Sequence, residues 1–376
     1  MKLSQLITAL GKTLPLRSAG YEKDAVGLQV GFTKDTELTK ALVAYEVTDD
    51  VVAESIAVGA NLIISYHPLI FPNLSSITDA TRTGALLTKL IKNDIALYVV
   101  HTAFDANPEF GTSRLMADAL GFANIKPLAP LPGLLEKIVV FAPEAEAKTV
   151  QEAMWSAGAG YISNYDECSF TIEGQGTFRG NAASNPTIGT PLVRESLREV
   201  RIEMIVEKWK TPRVISAMIE AHSYEEVAYD VYPLTNGHPH YGMGSVGELS
   251  MPMTSGVFMK DVKRIFGTPT LRHNGVEKSI SKVAVLGGSG MEYYSAARTS
   301  GADCFITGDI RYHDFYRAAH DGILLIDAGH AETERFVIEG LMRAVLKSVQ
   351  EGESSDETFK NFVINSRLKS NIVHYY

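Results

Sequence analysis

The chain has 376 residues, 45% of them apolar and 21% charged, with a formal net charge of −9. That length exceeds a single hydrophobic core and predicts two or three domains. The acidic balance excludes a general nucleic-acid or membrane-surface binder, which needs clustered Lys and Arg to neutralise phosphates.

Only Cys168 and Cys304 occur, far apart, so no disulfide framework is expected and a reducing compartment fits. Cys304 lies in an apolar run and reads as a buried small hydrophobe. The opening MKLSQLITALGKTLPL carries Leu3, Leu6, Ile7 and Leu10 at helical spacing. It lacks the apolar run and cleavage site of a leader, so it reads as an amphipathic helix of the mature protein. No apolar run approaches the roughly 20 residues of a membrane span, and the expected location is the cytoplasm.

Residues 41–126 alternate strands and helices. ALVAYEV (41–47) reads as a strand, Thr48 or Asp49 caps a helix running to about Ala60, and NLIISYHP (61–68) is a second strand ending at His67. A helix through Gly84–Lys92 leads to IALYVVHTAFD (95–105), read as a strand to its end. Continuous apolar strands separated by helices predict a parallel sheet covered on both faces.

The middle differs. EKIVVFAP, the helical AKTVQEAMWSAG, a glycine-rich hairpin region, VRIEMIVEK (200–208), PRVISAMIEAH (212–222) and EVAYDVYPL (226–234) follow the order β-α-β-β-α-β of a ferredoxin-like α+β module. NGHPHYGMGSVG (236–247) reads as a return linker. Residues 283–348 then resume the first grammar: VAVLGGSG (283–290) as strand and glycine turn, DCFITGDI (303–310), a helix carrying His313, GILLIDAGH (322–330), and a final helix from about Ala331. The expected division is 1–133 and 241–376 as two halves of one α/β domain, with 134–240 inserted between them.

In parallel α/β sheets ligands bind beyond the carboxyl ends of the strands. Metal-capable side chains collect at such ends here: Tyr66 and His67, His101 and Asp105, Asp309 with His313 beyond it, and His330. His330 and Glu334 form H-x-x-x-E, one turn apart on one face if a helix opens at Ala331. Imidazole with carboxylate suits Zn, Mn or Fe(II) better than Ca, and Asp105 and Glu334 can bridge two ions. Each piece alone has a plainer reading: a hydrogen-bonded strand-end histidine, or a solvated helix face. Gly287-Gly288-Ser289-Gly290 reads either as an anion-binding nest or as a tight turn, without the Lys of a P-loop. His222, His238 and His240 read chiefly as loop histidines.

At SYHPLIF, HTAFD, GDIRYHD and DAGHAETER the sequence resembles the Nif-three-like dinuclear-metal family, whose members are also called GTP cyclohydrolase type-two homologues. GAGYISNYDECSF, GTFRG and AHSYEEVAYDVYPL resemble the PII/CutA-type domain inserted in its longer members. The resemblance implies metal ligands at His67, Asp105, His330 and Glu334, two divalent ions per chain (Zn, Fe or Mn), and a toroidal homohexamer. The first histidine of the family's HHP pattern is Tyr66 here, which makes Tyr66 a ligand candidate of a different kind. The expected function is a metal-dependent hydrolase acting on a nucleotide-like substrate, with His101 and His313 as proton shuttles and Arg311 or the glycine turn receiving phosphates. The alternative is a non-enzymatic metal-binding scaffold or regulator with the inserted module as a sensing or capping element.

Overall fold

The structure, a computed structural model, describes residues 1–15, 24–31, 36–352, 362–368 and 373. It divides into two compact units, Met1–Pro130 with His240–Tyr376, and Leu131–Pro239. Helix α1 (Leu3–Thr13) buries Leu3, Leu6 and Leu10 at the expected spacing. Strands β1 (Gly27–Val30) and β2 (Ala41–Ala44) precede α2 (Asp49–Val58). The Thr48 hydroxyl accepts the Val51 N–H at 3.2 Å, which satisfies one of the amides that a helix start leaves open. Next come β3 (Leu62–Ser65), α3 (Arg82–Lys92) and β4 (Ala96–Val99). Every residue of β2, β3 and β4 is buried, as helices on both faces require. The strand expected through Asp105 stops at Val99: His101 takes a left-handed φ of 38°, and α4 (His101–Asp105) follows. Helix α5 (Thr112–Ala119) and β5 (Ala123–Pro130) complete this segment.

The unit Leu131–Pro239 contains β6 (Leu135–Pro143), α6 (Ala147–Ser156), β7 (Phe170–Phe178), β8 (Glu195–Glu207), α7 (Thr211–Glu220) and β9 (Tyr229–Leu234). Its antiparallel sheet has the order β7-β8-β6-β9. Ile138, Val140, Val150, Met154, Ile202 and Met218 form a core of its own.

The chain returns as β10 (Gly242–Thr254), so the second half of the stretch read as a glycine linker, 242–247, is strand. The glycines there serve close approach: a Cβ at Gly242 would stand 2.5 Å from the Ala129 carbonyl oxygen of the paired β5. Then come α8 (Ser255–Phe266), β11 (Arg272–His273), β12 (Ser279–Ser289), α9 (Tyr294–Thr299), β13 (Cys304–Gly308), α10 (Tyr312–His320), β14 (Leu324–Asp327), α11 (His330–Thr333), α12 (Val337–Gly352) and β15 (Val363–Asn365).

Two sheets result, ordered β1-β4-β3-β2-β15 and β11-β14-β13-β12-β10-β5. Each takes an edge strand from the other side of the unit Leu131–Pro239 in sequence: β15 joins the first, β5 the second. The first sheet packs Leu6, Leu10, Leu341 and Val345 of α1 and α12 on one face. Val51, Val52, Leu86 and Leu90 of α2 and α3 cover the other. Among the described residues no helix is long and apolar enough to cross a membrane.

Leu10 is fully buried between α1, α12 and the sheet. Leu10→Ala should destabilise this unit by about 2–5 kcal/mol. Both tryptophans, Trp155 and Trp209, belong to the other unit. In urea, the far-ultraviolet circular dichroism midpoint should fall while the tryptophan fluorescence midpoint stays in place. Equal shifts in both would mean that the whole chain unfolds as one cooperative body.

Candidate metal centre

The carboxyl ends of parallel strands and the turns after them supply the site. Tyr45 follows β2, Tyr66 and His67 follow β3, and α11 after β14 carries His330, with Glu334 just past its end. His67, His330 and Glu334 each offer one ligand atom, all within 4.8 Å of one another. Glu334 Oε2 lies 3.3 Å from His330 Nε2 and 3.5 Å from His67 Nε2.

Clearance for this convergence comes from glycine. A Cβ at Gly288 would stand 2.5 Å from Glu334 Oε1, and one at Gly308 would stand 2.9 Å from the His330 backbone. The glycine run is therefore strand and turn packed against α11. It is not a nest for an anion: the Gly288 N–H donates to the Thr333 hydroxyl at 2.9 Å and the Gly287 N–H to the Ser113 hydroxyl at 3.3 Å.

Glu334 is 4% exposed. Burial pushes its carboxyl pKa up, but hydrogen bonds from His330 and His67 outweigh that and hold it down at about 2. The same bond to Glu334 raises His330 to about 9. His330 Nδ1 lies 2.6 Å from Asp309 Oδ2, so Asp309 orients the ring and leaves Nε2 toward Glu334. Asp309 reaches that place through a left-handed φ of 53°. Asp327 secures the turn, accepting the Ile310 N–H at 3.2 Å and the Gly329 N–H at 3.1 Å.

Two buried tyrosines close the inner side. The Tyr45 hydroxyl donates to Glu334 Oε2. The Tyr66 hydroxyl donates to Asp105 Oδ2 at 2.8 Å and lies 3.4 Å from Glu334 Oε1. Burial, then the carboxylate charges, push both phenols well above their ordinary range. They act as hydrogen-bond donors. Asp105 also accepts from the Thr112 hydroxyl at 2.5 Å; burial and the charge of Glu334 nevertheless raise it to about 7. His101 Nδ1 lies 2.5 Å from Asp24 Oδ1, and its ring centroid is 5.9 Å from that of His67.

The structure thus brings His67, His330 and Glu334 to one point, with Asp105 joined to them through Tyr66 and His101 beside His67. It does not bring His313 there. The left-handed turn at Asp309 gives the place near His330 to the Asp309 carboxylate, and His313 sits exposed on the first turn of α10 against Tyr312. Arg311, expected to meet phosphates, is likewise exposed. His222 and His238 have local duties: His222 Nε2 lies 3.0 Å from the Phe141 carbonyl oxygen, and His238 Nε2 lies 3.2 Å from Glu207. Sequence reasoning missed Tyr45, Asp24 and Asp327. Tyr45 carried a usable signal, a polar-tipped side chain just past β2 as Tyr66 is just past β3. Asp24 lies 77 residues from His101 and had none.

Two imidazole nitrogens and a carboxylate oxygen in mutual reach are a donor set for Zn, Mn or Fe(II). A divalent metal of that kind therefore fits the residues present.

Residues 1–365 match the family described as Duf34/NIF3 (NGG1p interacting factor 3). The chain is similar to the "GTP cyclohydrolase 1 type 2 homolog" of Halalkalibacterium halodurans, 40% identical over 94% of this chain and 93% of that protein. Its Bacillus subtilis counterpart, of the same name, is 36% identical over 90% of this chain and 91% of that protein. Among known structures, a Bacillus cereus protein related to NIF3 superposes with a TM-score of 0.85 at 36% identity, covering 100% of this chain and 99% of that one. A Staphylococcus aureus protein superposes at 0.75 with 29% identity and the same coverage.

Acid–base behaviour follows from these groups. Glu334, depressed from 4.5 to about 2, stabilises the fold above pH 4.5 and loses that effect as pH falls toward 2. His330, raised from 6.5 to about 9, stabilises fully below pH 6.5 and loses the effect as pH rises to 9. Asp105, raised from 3.8 to about 7, adds a growing penalty across that interval. In chelator, the urea midpoint of this unit should therefore fall steadily from pH 6 to pH 9. A flat or rising midpoint over that range would contradict the assigned protonation states.

Proposed function

The chain belongs to the Duf34/NIF3 family, and on that premise we propose that it is a divalent-metal-dependent hydrolase acting on a nucleotide-like substrate. The observation that carries this reading is the convergence of His67, His330 and Glu334. A divalent ion held by those side chains would polarise a substrate oxygen and acidify water at neutral pH. The chain's own groups complete the proposed chemistry. Asp309 holds His330 in one orientation. Asp24 holds His101 by Nδ1, which leaves Nε2 to take or give a proton beside His67. The name of the Halalkalibacterium halodurans relative supports a purine nucleoside triphosphate as the substrate to try first.

The proposed pair of ions has unequal positions. His67, His330 and Glu334 form the stronger one. The weaker one would draw on Asp105 and His101, and there the Tyr66 hydroxyl occupies an oxygen of Asp105. A phenol whose pKa is pushed above its ordinary value of about 10 is a poor ligand at neutral pH. That closure of Asp105 favours a second reading, a metal-binding scaffold without turnover. In either case we read residues 134–240 as the inserted ferredoxin-like, PII/CutA-type module and the assembly as a homohexamer.

Glu334→Gln keeps the shape and removes the charge that both histidines address. Metal content of gently purified protein should drop at least about tenfold, with circular dichroism unchanged. Unchanged metal content would remove Glu334 from the ligand set. Loaded parent protein that turns over no nucleotide or phosphoester would favour the scaffold.

Tyr66→His supplies a neutral imidazole in place of the phenol. Calorimetric titration with Zn²⁺ should show one tight site per chain in the parent and a gain toward two in the variant. Two equal tight sites in the parent, with no gain in the variant, would show that Tyr66 does not limit the second position.

A further inference from the structure

The unit Leu131–Pro239 contains a cavity of about 550 Å³, within the roughly 300–1,000 Å³ typical of small-molecule sites. Its walls include Phe141, Phe178, Tyr224 and Glu199, all half-buried. Loop residues 179–188 form its cover, tied down by two polar contacts. The Asn185 N–H donates to Glu225 Oε2 at 2.7 Å, and the Thr187 hydroxyl donates to the Ser223 carbonyl oxygen at 2.6 Å. Nothing in the metal-site chemistry uses any of these residues.

We propose that this cavity binds a small organic cation, an alkylated ammonium or a guanidinium, between the aromatic walls and the Glu199 carboxylate. The lining carries Glu199, Glu225 and Glu226 against a single cation, Arg179. Glu199 accepts the Tyr224 hydroxyl at 2.9 Å and enters no ion pair among the described residues. It is a half-buried carboxylate beside aromatic rings, held by a neutral donor. The Arg179 guanidinium is turned to the loop backbone, its Nε donating to the Leu192 carbonyl oxygen at 2.9 Å.

Ring faces attract cations through their quadrupole, and a carboxylate at the same point adds charge. The geometry disfavours a flat base as occupant. Phe178 and Tyr224 have centroids 6.5 Å apart and planes tilted by 53°, a corner rather than two parallel walls. A phosphate would meet three carboxylates.

The test is calorimetry on the full chain with tetramethylammonium and butylguanidinium as probes and AMP as the anionic comparison. At least one cation should bind saturably below about 10 mM, one per chain, and more tightly than AMP. Glu199→Gln should weaken that binding about tenfold, the size expected for losing one charge-assisted contact, with Zn²⁺ binding unchanged. Arg179→Gln should strengthen it, because a repelling charge is removed while the cover loop keeps a polar side chain. A purely structural role for these residues predicts no such opposite signs. If Glu199→Gln does not fold, Phe178→Leu should show the same loss through the aromatic wall. The proposal is overturned if neither cation saturates, if AMP binds more tightly than both, or if the folded wall variants leave cation affinity unchanged.

Discussion

The centre of the larger unit depends on keeping one carboxylate ionised at 4% exposure, that of Glu334. An isolated charge taken from water costs several kcal/mol, and only partners on its remaining lone pairs offset that. Tyr45, Tyr66, His67 and His330 are those partners. Three of them stand just past the carboxyl ends of neighbouring strands, and the fourth lies one helical turn from Glu334 itself. A buried anion surrounded by neutral or protonated donors is also what a divalent cation would meet, so the feature that threatens the fold is the one that prepares a binding site.

That arrangement explains other choices in the chain. Helix α11 must lie almost against β12 and β13, and Gly288 and Gly308 allow it because neither has a Cβ to collide with Glu334 or His330. Leaving the strands quickly enough requires left-handed residues, and His101 and Asp309 adopt that conformation without being glycine. Such backbone costs of order 1–3 kcal/mol and persists only where its surroundings enforce it. Here the Asp24–His101 and Asp309–His330 contacts do so. The edge strand β15 pairs with β2, whose end presents Tyr45, and α12 packs into the core of that same sheet. The chain beyond Glu334 is thereby fastened to the sheet that supplies Tyr45, Tyr66 and His67.

Much of this was legible in the residues because apolar runs of four to eight bounded by helices identify buried parallel strands, and such strands put their carboxyl ends together. The H-x-x-x-E spacing of His330 and Glu334 carried its own geometry. What escaped was set by sequence-distant partners. Asp24 is identifiable only once His101 turns toward it. The reading of 236–247 as a linker holds for 236–241, where the chain passes from one unit to the other, but not for 242–247, because glycine signals a turn and a tight strand crossing alike and only pairing with β5 distinguishes them. Asp309 and His313 both stand near one strand end, and the structure sets the Asp309 carboxylate against His330 while His313 lies exposed on α10.

The two chemistries argued for this chain rest on separate cores. Glu334 and its partners draw on the strands of Met1–Pro130 and His240–Tyr376, whereas the aromatic cavity draws only on Leu131–Pro239. They also differ in kind: one is a buried anion with nitrogen donors, the other an acidic aromatic corner. Each can therefore be altered in charge without removing a packing contact of the other core. If occupancy of the cavity changes metal affinity by some factor, metal must change cation affinity by that same factor, since a coupling free energy belongs to the pair of sites. The inserted unit would then be a sensor in the thermodynamic sense. With no coupling, it is a second binding module carried on the same chain.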